Sequence, residues 1–308
     1  MTPSTSDLTL FAIPKNFRGH IATIQRNAIT SWTHLEPRPE IFLFGEEEGT
    51  AELARELGLR HFPEVARNEF GTPLLHDLFR QAIESASTPL VGYVNADIVL
   101  TSEFIEAIGR MRSLREKFMA VGRRWDVDWD QPLDFSRPGW AELVRDAARR
   151  ANMQRPGNFI DYFIFTRGLC RDLLPLAIGR FSWDNYLLWR GRSSGAALVD
   201  VSPVVLAIHQ NHDYAHSNVY ADVRQSPEVK RNRLLVGPWW HMYTIEDATE
   251  ILGADGAHPS RLHWWLMAKR LWSHPLTIFQ LPWLVVQRLL HDETYENSAR
   301  ANKQSDSR

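Results

Sequence analysis

Two clusters of chemically capable side chains stand out along the 308 residues. The first is Asn95-Ala96-Asp97, which follows the apolar run Pro89-Leu-Val-Gly-Tyr-Val94. A carboxylate at the end of such a strand can hold a divalent cation by hard oxygen ligation while the cation neutralises a diphosphate, and Asn95 can add a neutral oxygen or bond a ribose hydroxyl. The competing reading is a polar turn that ends one element and caps the next. The second cluster is His209, His212 and His216, with Asp213 among them. Its spacing lets two imidazoles converge on a manganese-like or zinc-like ion. A pure zinc site is disfavoured, because there are no partner cysteines and no His-Glu-x-x-His helix. Ordinary hydrogen-bonding turn residues are the alternative there.

Asp184 lies between Trp183 and Tyr186 at the start of a helical run. An aromatic wall can raise a carboxyl's proton affinity to suit a general base, whereas an acid in a first helical turn can also simply complement the macrodipole. Arg123 and Arg124 follow a strand, where guanidinium groups clamp phosphates well. Lys15, Arg18 and Arg26 flank the first strand and are assigned no role. Neither Gly-x-Gly-x-x-Gly nor Gly-Lys-Ser/Thr occurs, which removes the two commonest nucleotide-binding loops. No Gly-x-Ser-x-Gly elbow supports a serine hydrolase.

These residues need a scaffold, and the first half of the chain supplies an alternating one. Strands are predicted over 8–13, 40–44, 59–63 and 89–94, with helices over 20–32, 50–57 and 72–85, where Pro73 stands near the first helical position. Gly58 closes the second helix. A helix over 102–117, a strand over 118–121, a helix over 140–152, a strand over 159–166, a helix over 182–190 and a strand over 197–208 follow. The order implies an α/β, doubly wound, mostly parallel sheet with flanking helices, and ligands in such sheets sit beyond the strands' carboxyl ends. Asn95 and Asp97 occupy such an end. The expected organisation is a catalytic unit over 1–220, a helical Trp-rich extension over 221–293 and a disordered tail over 294–308.

A formal charge of −2 excludes a general attraction to nucleic acid. The single cysteine, Cys170, cannot form an internal disulfide, and no signal-like segment opens the chain, so a cytoplasmic protein is expected. Residues 261–290 carry Trp264, Trp265, Trp272 and Trp283 with Lys269, Arg270 and Arg288. The apolar run Pro275 to Val286 is too short to span a bilayer, but aromatic and basic residues together suit a peripheral membrane contact; packing against the sheet or a second copy is the alternative.

Taken in order, Phe11-Ala-Ile-Pro14-Lys, Val91-Gly-Tyr-Val-Asn95-Ala-Asp97-Ile-Val, Ser182-Trp-Asp184-Asn-Tyr-Leu and Ile208-His-Gln-Asn-His-Asp-Tyr resemble the layout of GT-A-type nucleotide-sugar glycosyltransferases over residues 8–220. The resemblance implies a GT-A-like fold, a nucleotide-diphosphate sugar as donor and a divalent ion, Mn2+ or Mg2+. It implies Asp97 and His209 or His212 at the metal, with Pro14, Asn95, Arg123 and Arg124 toward the donor. It further implies Asp184 as the base that activates a hydroxyl of a glycan or lipid-linked acceptor, with inversion at the anomeric carbon. The chain departs from that pattern at Asn95, where the family usually has Asp, and so loses one negative charge. A sugar nucleotidyltransferase would also use such a sheet but needs a glycine-rich basic loop after the first strand, which is missing. A catalytically silent nucleotide- or carbohydrate-binding protein is the third reading.

Overall fold

The computed structural model describes residues 6–212 and 225–268. Strand β1 (Leu8–Ala12) shows how the sequence builds the sheet, since all five residues are buried and successive side chains enter opposite cores. Leu8, Leu10 and Ala12 join one apolar cluster with Trp32, Leu43 and Val94. Phe11 joins the other with Phe42, Phe44, Phe79 and Tyr93. A strand covered on both faces reads as a continuous apolar run, and helices must supply both covers. Those helices include α1 (Gly19–Thr33), α2 (Thr50–Leu57), α3 (Leu75–Ser85), α4 (Ser102–Leu114), α5 (Trp140–Ala151) and α6 (Trp183–Ser193). Gly58 ends α2 in the left-handed region, as a C-terminal cap requires.

The remaining strands are β2 (Glu40–Phe44), β3 (Arg60–Phe62), β4 (Leu90–Val94), β5 (Ile98–Val99), β6 (Phe118–Val121), β7 (Arg124–Val127), β8 (Tyr162–Thr166), β9 (Ala197–Asp200), β10 (Ala207–Gln210), β11 (Glu250–Gly253) and β12 (Gly256–Pro259). Nine of them form one sheet in the order β12-β11-β9-β6-β8-β4-β1-β2-β3. The sheet is mostly parallel, as expected, with β8 running against both β4 and β6, and β12 against β11. Gly92 leaves room where β4 meets β8: a Cβ there would stand 2.2 Å from Ile164 Cδ1, so that side chain would have to shift.

Three expectations are corrected. The strand predicted over 197–208 is two strands: Pro203, which has no N–H for a ladder, sits in a turn after β9, and β10 leaves for a second sheet of order β5-β10-β7. Helix α3 begins at Leu75, because Pro73 and Leu74 are used as extended bridges to Arg67 and Ala177. Residues 250–259, placed by sequence in a helical extension, form β11 and β12, and β11 pairs with β9 to carry the main sheet past residue 220. The short residues between Glu250 and Pro259 have no helical period to outweigh that pairing. No helix among the described residues is long and apolar enough to cross a membrane.

Candidate functional site

The structure brings Asp97, His209 and His212 together at the carboxyl end of β4. Asp97 lies in the tight turn between β4 and β5, closed by the Ile98 N–H donating to the Asn95 carbonyl at 3.1 Å. His209 lies inside β10, one residue pair from that turn, because β10 pairs antiparallel with β5 and sets His209 opposite Ile98. Gln210 fastens the two segments, its side-chain amide donating to the carbonyls of Ile24 at 2.8 Å and Asp97 at 3.3 Å. His212 Nε2 is 3.2 Å and His209 Nε2 3.7 Å from Asp97 Oδ2.

Among the described residues, these three offer ligand atoms that all lie within 4.8 Å of one another, a geometry that one cation can satisfy. Asp97 Oδ1 is buried and has no hydrogen-bond partner. An orphaned buried carboxylate oxygen is costly unless something positive meets it, so the donor set fits a divalent ion. Burial alone would push the Asp97 carboxyl up, but the hydrogen bond with His212 and the charges of His209, His212 and Lys15 outweigh it and hold the carboxyl well below the usual range. His216 and Asp213 lie outside the described residues.

Asn95 takes a part that differs from a ligand's. Its side-chain amide donates to Asp161 Oδ1 at 2.6 Å and its backbone N–H to the Asp161 carbonyl at 2.8 Å. Asp161, 5% exposed, also faces Arg124 Nη1, which lies 3.1 Å from both of its oxygens. Arg124 Nε in turn meets Asp126 at 2.8 Å. Arg123, one residue earlier, is turned to Asp200 and Glu246 at 3.1 and 3.0 Å. Of the arginine pair expected at phosphates, only Arg124 therefore stands beside the Asp97 network, and carboxylates already hold both guanidinium groups.

Asp184 opens α6. Trp183 packs against Tyr93 and Phe163, with ring centroids 5.4 and 5.6 Å away, which ties the start of α6 to the strands leading to Asn95 and following Asp161. Burial pushes the Asp184 carboxyl up to about 6; the N–H of Asn185, donating at 2.9 Å, and Asp184's own amide oppose this, while the Asp161 charge adds to it. Pro14 is buried in the loop after β1. Gln25 pins that loop by accepting from the Lys15 N–H at 2.6 Å and donating to the Lys15 carbonyl at 2.8 Å. Asp126, Asp161 and Gln210 were not singled out from sequence, and Lys15 was given no role. Their relevance depends on strand pairings that join residues far apart in the chain.

No family model matches the chain, and no curated protein is similar enough to it to be matched. Solved structures are similar in fold. TarS of S. aureus, residues 1–349 in complex with UDP-GlcNAc, aligns with a TM-score of 0.50 at 10% identity over 74% of this chain and 65% of that one. The mannosyltransferase PcManGT of Pyrobaculum calidifontis, in complex with GDP-Man and Mn2+, gives a TM-score of 0.46 at 12% identity over 75% and 65%. Glucosyl-3-phosphoglycerate synthase of Mycobacterium tuberculosis, with Mn2+, UDP and phosphoglyceric acid, gives 0.46 at 17% over 75% and 82%. The chain thus spans 65% of the length of two of these. The TarS alignment and the mixed sheet, parallel apart from β8 and β12, identify the fold as GT-A-like.

Proposed function

We propose that the protein is a metal-assisted glycosyltransferase that moves a sugar from a nucleotide-diphosphate donor to a hydroxyl acceptor, a glycan or a lipid-linked saccharide. The observation that carries this reading is the convergence of Asp97, His209 and His212, with an unpartnered buried Asp97 oxygen, at a strand end where a GT-A-like sheet opens. A divalent ion held by these three side chains would supply the positive charge that offsets the diphosphate leaving group as the glycosidic bond breaks.

The chain's own residues do the rest. Lys15, whose charge reaches Asp97, adds a cation on the phosphate side, beside the loop that holds Pro14. Arg124, Asp161 and Asn95 hold the motif turn in place. Arg123 is left out of the donor site because Asp200 and Glu246 take its guanidinium. Asp184 takes the proton of the incoming hydroxyl on a carboxylate oxygen, its affinity for that proton raised by burial. Direct displacement assisted by such a base inverts the anomeric carbon. The exposed Trp264 and Trp265 favour an acceptor presented at a membrane surface.

Thermal unfolding of the full chain with a panel of nucleoside diphosphates and nucleotide sugars, with and without Mn2+, tests this reading. A ligand that binds only the folded state at ~100 times its Kd adds about 2.7 kcal/mol of stability. At least one nucleotide should stabilise the protein in a Mn2+-dependent way, and Asp97→Ala should abolish the shift. No stabilisation by any of them would overturn the proposal.

A further inference from the structure

A cavity of about 350 Å³ opens where the loop after β3 meets the helix Pro227–Val236. Small-molecule sites occupy roughly 300–1,000 Å³, so it has room for a sugar ring. Leu74, Pro175 and Ala177 give it apolar surface, and Glu69, Glu228, Arg67 and Arg231 give it charge. Glu228 is 5% exposed, its Oε1 accepting from Asn68 Nδ2 and its Oε2 from Arg180 Nε, both at 2.7 Å. Asn68 is held in turn, its Oδ1 accepting the N–H of Phe70 at 3.0 Å and of Thr72 at 2.9 Å. These bonds fix the polar wall within the fold itself, and each carboxylate oxygen keeps a lone pair for a further donor.

The cavity lies on the side of the sheet where Asp184 stands. Leu75, Leu176 and Ile178, which adjoin lining residues, share one apolar cluster with Trp183 of α6. Ile98 and Ile208, which adjoin Asp97 and His209, belong to the cluster on the other face. Asn232 fastens the cavity to the base: its side chain accepts the Ala177 N–H at 2.9 Å and donates to the carbonyls of Ala177 at 3.0 Å and Phe181 at 3.2 Å. Phe181 stands three residues before Asp184. A molecule seated there approaches from the face opposite the candidate metal ligands, as an acceptor must in a direct displacement.

Charge decides the class of that molecule. The two lining arginines are matched by two lining acids, and further pairs cancel as well, Arg67 with Glu47 and Arg180 with Glu228, each at 2.7 Å. A phosphate or carboxylate would meet acids as well as arginines, and a lipid tail would leave the buried Glu228 carboxylate facing hydrocarbon. A hydroxyl-rich ring satisfies both kinds of group, since its hydroxyls donate to carboxylates and accept from guanidinium groups while its C–H surface covers the apolar residues. Resting on the transfer reaction proposed above, we propose that this cavity is an acceptor subsite for a neutral sugar ring, with Glu228 and Arg231 as its polar contacts.

The full chain is titrated with a panel of neutral methyl glycosides, and with sugar phosphates and uronates as anionic counterparts, while saturation transfer from protein to ligand is followed by NMR. At least one neutral glycoside should receive saturation and bind more tightly than its anionic counterparts. Arg231→Ala should weaken that binding by roughly tenfold, as expected for the loss of a hydrogen bond from a charged donor. Pro175 is exposed where it lines the cavity, so Pro175→Trp places a large ring at the opening and should abolish the signal. Thermal melting of each variant checks that it is folded. Tighter binding of the phosphates or uronates would overturn the neutral class. No binding of any neutral glycoside, or binding that neither variant weakens, would overturn the subsite. Failure of the transfer reading looks different: no nucleotide stabilises the protein, while glycoside binding persists.

Discussion

Asp184 and Asp97 are carboxylates whose neighbours drive them in opposite directions. Asp97 meets two imidazoles and feels Lys15, which favour its charged form; Asp184 meets hydrophobic cover and the charge of Asp161, which favour its neutral form. A base with a proton affinity near 6 is ionised at neutral pH and still basic enough to accept a proton in a transition state. Because its value is raised in the folded chain, the protonated Asp184 contributes stability that is complete below the ordinary carboxyl range and is lost as pH rises through about 6. Activity moves the other way. With the accepted nucleotide donor, kcat/KM should climb roughly tenfold per pH unit below that value and level off above it. Asp184→Asn should retain donor binding by thermal shift and lose transfer. Transfer at near-normal rate, or an unchanged acid limb in that variant, would take Asp184 out of the mechanism. Asp184 could be singled out from sequence because Trp183 and Tyr186 frame it locally, whereas the reinforcing charge of Asp161 was hidden, 23 residues earlier and just before β8.

The joint between β4 and β8 explains why the motif begins with Asn. The two strands run antiparallel, with Val94 opposite Tyr162, so the residues just beyond them, Asn95 and Asp161, meet across the joint. A carboxylate at 95 would face Asp161 at hydrogen-bond distance, whereas an amide donates to it. We expect Asn95→Asp to destabilise the fold by about 1–3 kcal/mol, the cost of taking a donor from the buried Asp161, with like charge adding to it. The reversed pair, Asn95→Asp with Asp161→Asn, should recover much of that loss, because the donor and acceptor are exchanged in place. Urea denaturation of the two single variants and the double variant measures the coupling; additive losses would mean that the pair does not explain Asn95. The apolar runs of β1, β2 and β4 could be read locally because each strand is covered on both faces. The pairings of β10 with β5 and β7, which put His209 between Asp97 and Asp126, join residues 111 and 83 positions apart and leave no local period to read. The break at Pro203 was visible as a residue, but its consequence, transfer of β10 to a second sheet, depends on what that sheet offers.

At the scale of the molecule, the sheet edge farthest from β1 leads through β12 into residues 261–268, which are helical. His263 anchors this segment, buried with its Nδ1 2.9 Å from the Asp247 carbonyl oxygen. Its neighbours turn outward: Leu262 is 45% exposed, Trp264 70% and Trp265 59%. The expectation for residues 269–290 lies outside the described residues, but their sequence continues the pattern with Lys269, Arg270, Trp272, Trp283 and Arg288. Indole rings favour the boundary between headgroups and acyl chains, and cations favour anionic lipid, which is the basis of the proposed surface contact and of a lipid-linked acceptor. The electrostatic part weakens with salt, since the screening length is about 10 Å at 0.1 M, while the aromatic part does not. The full chain should therefore sediment with vesicles containing anionic phospholipid and bind less to neutral ones, with binding falling between low and physiological salt. Replacing both rings, Trp264→Ala with Trp265→Ala, should weaken binding by about tenfold or more, as expected from the burial energy of large aromatic side chains. Concentration-dependent association of the free protein that the same double variant abolishes would assign the rings to a contact between copies. Failure to sediment with anionic vesicles at low salt would remove the membrane from the proposal and leave a soluble glycan as the acceptor.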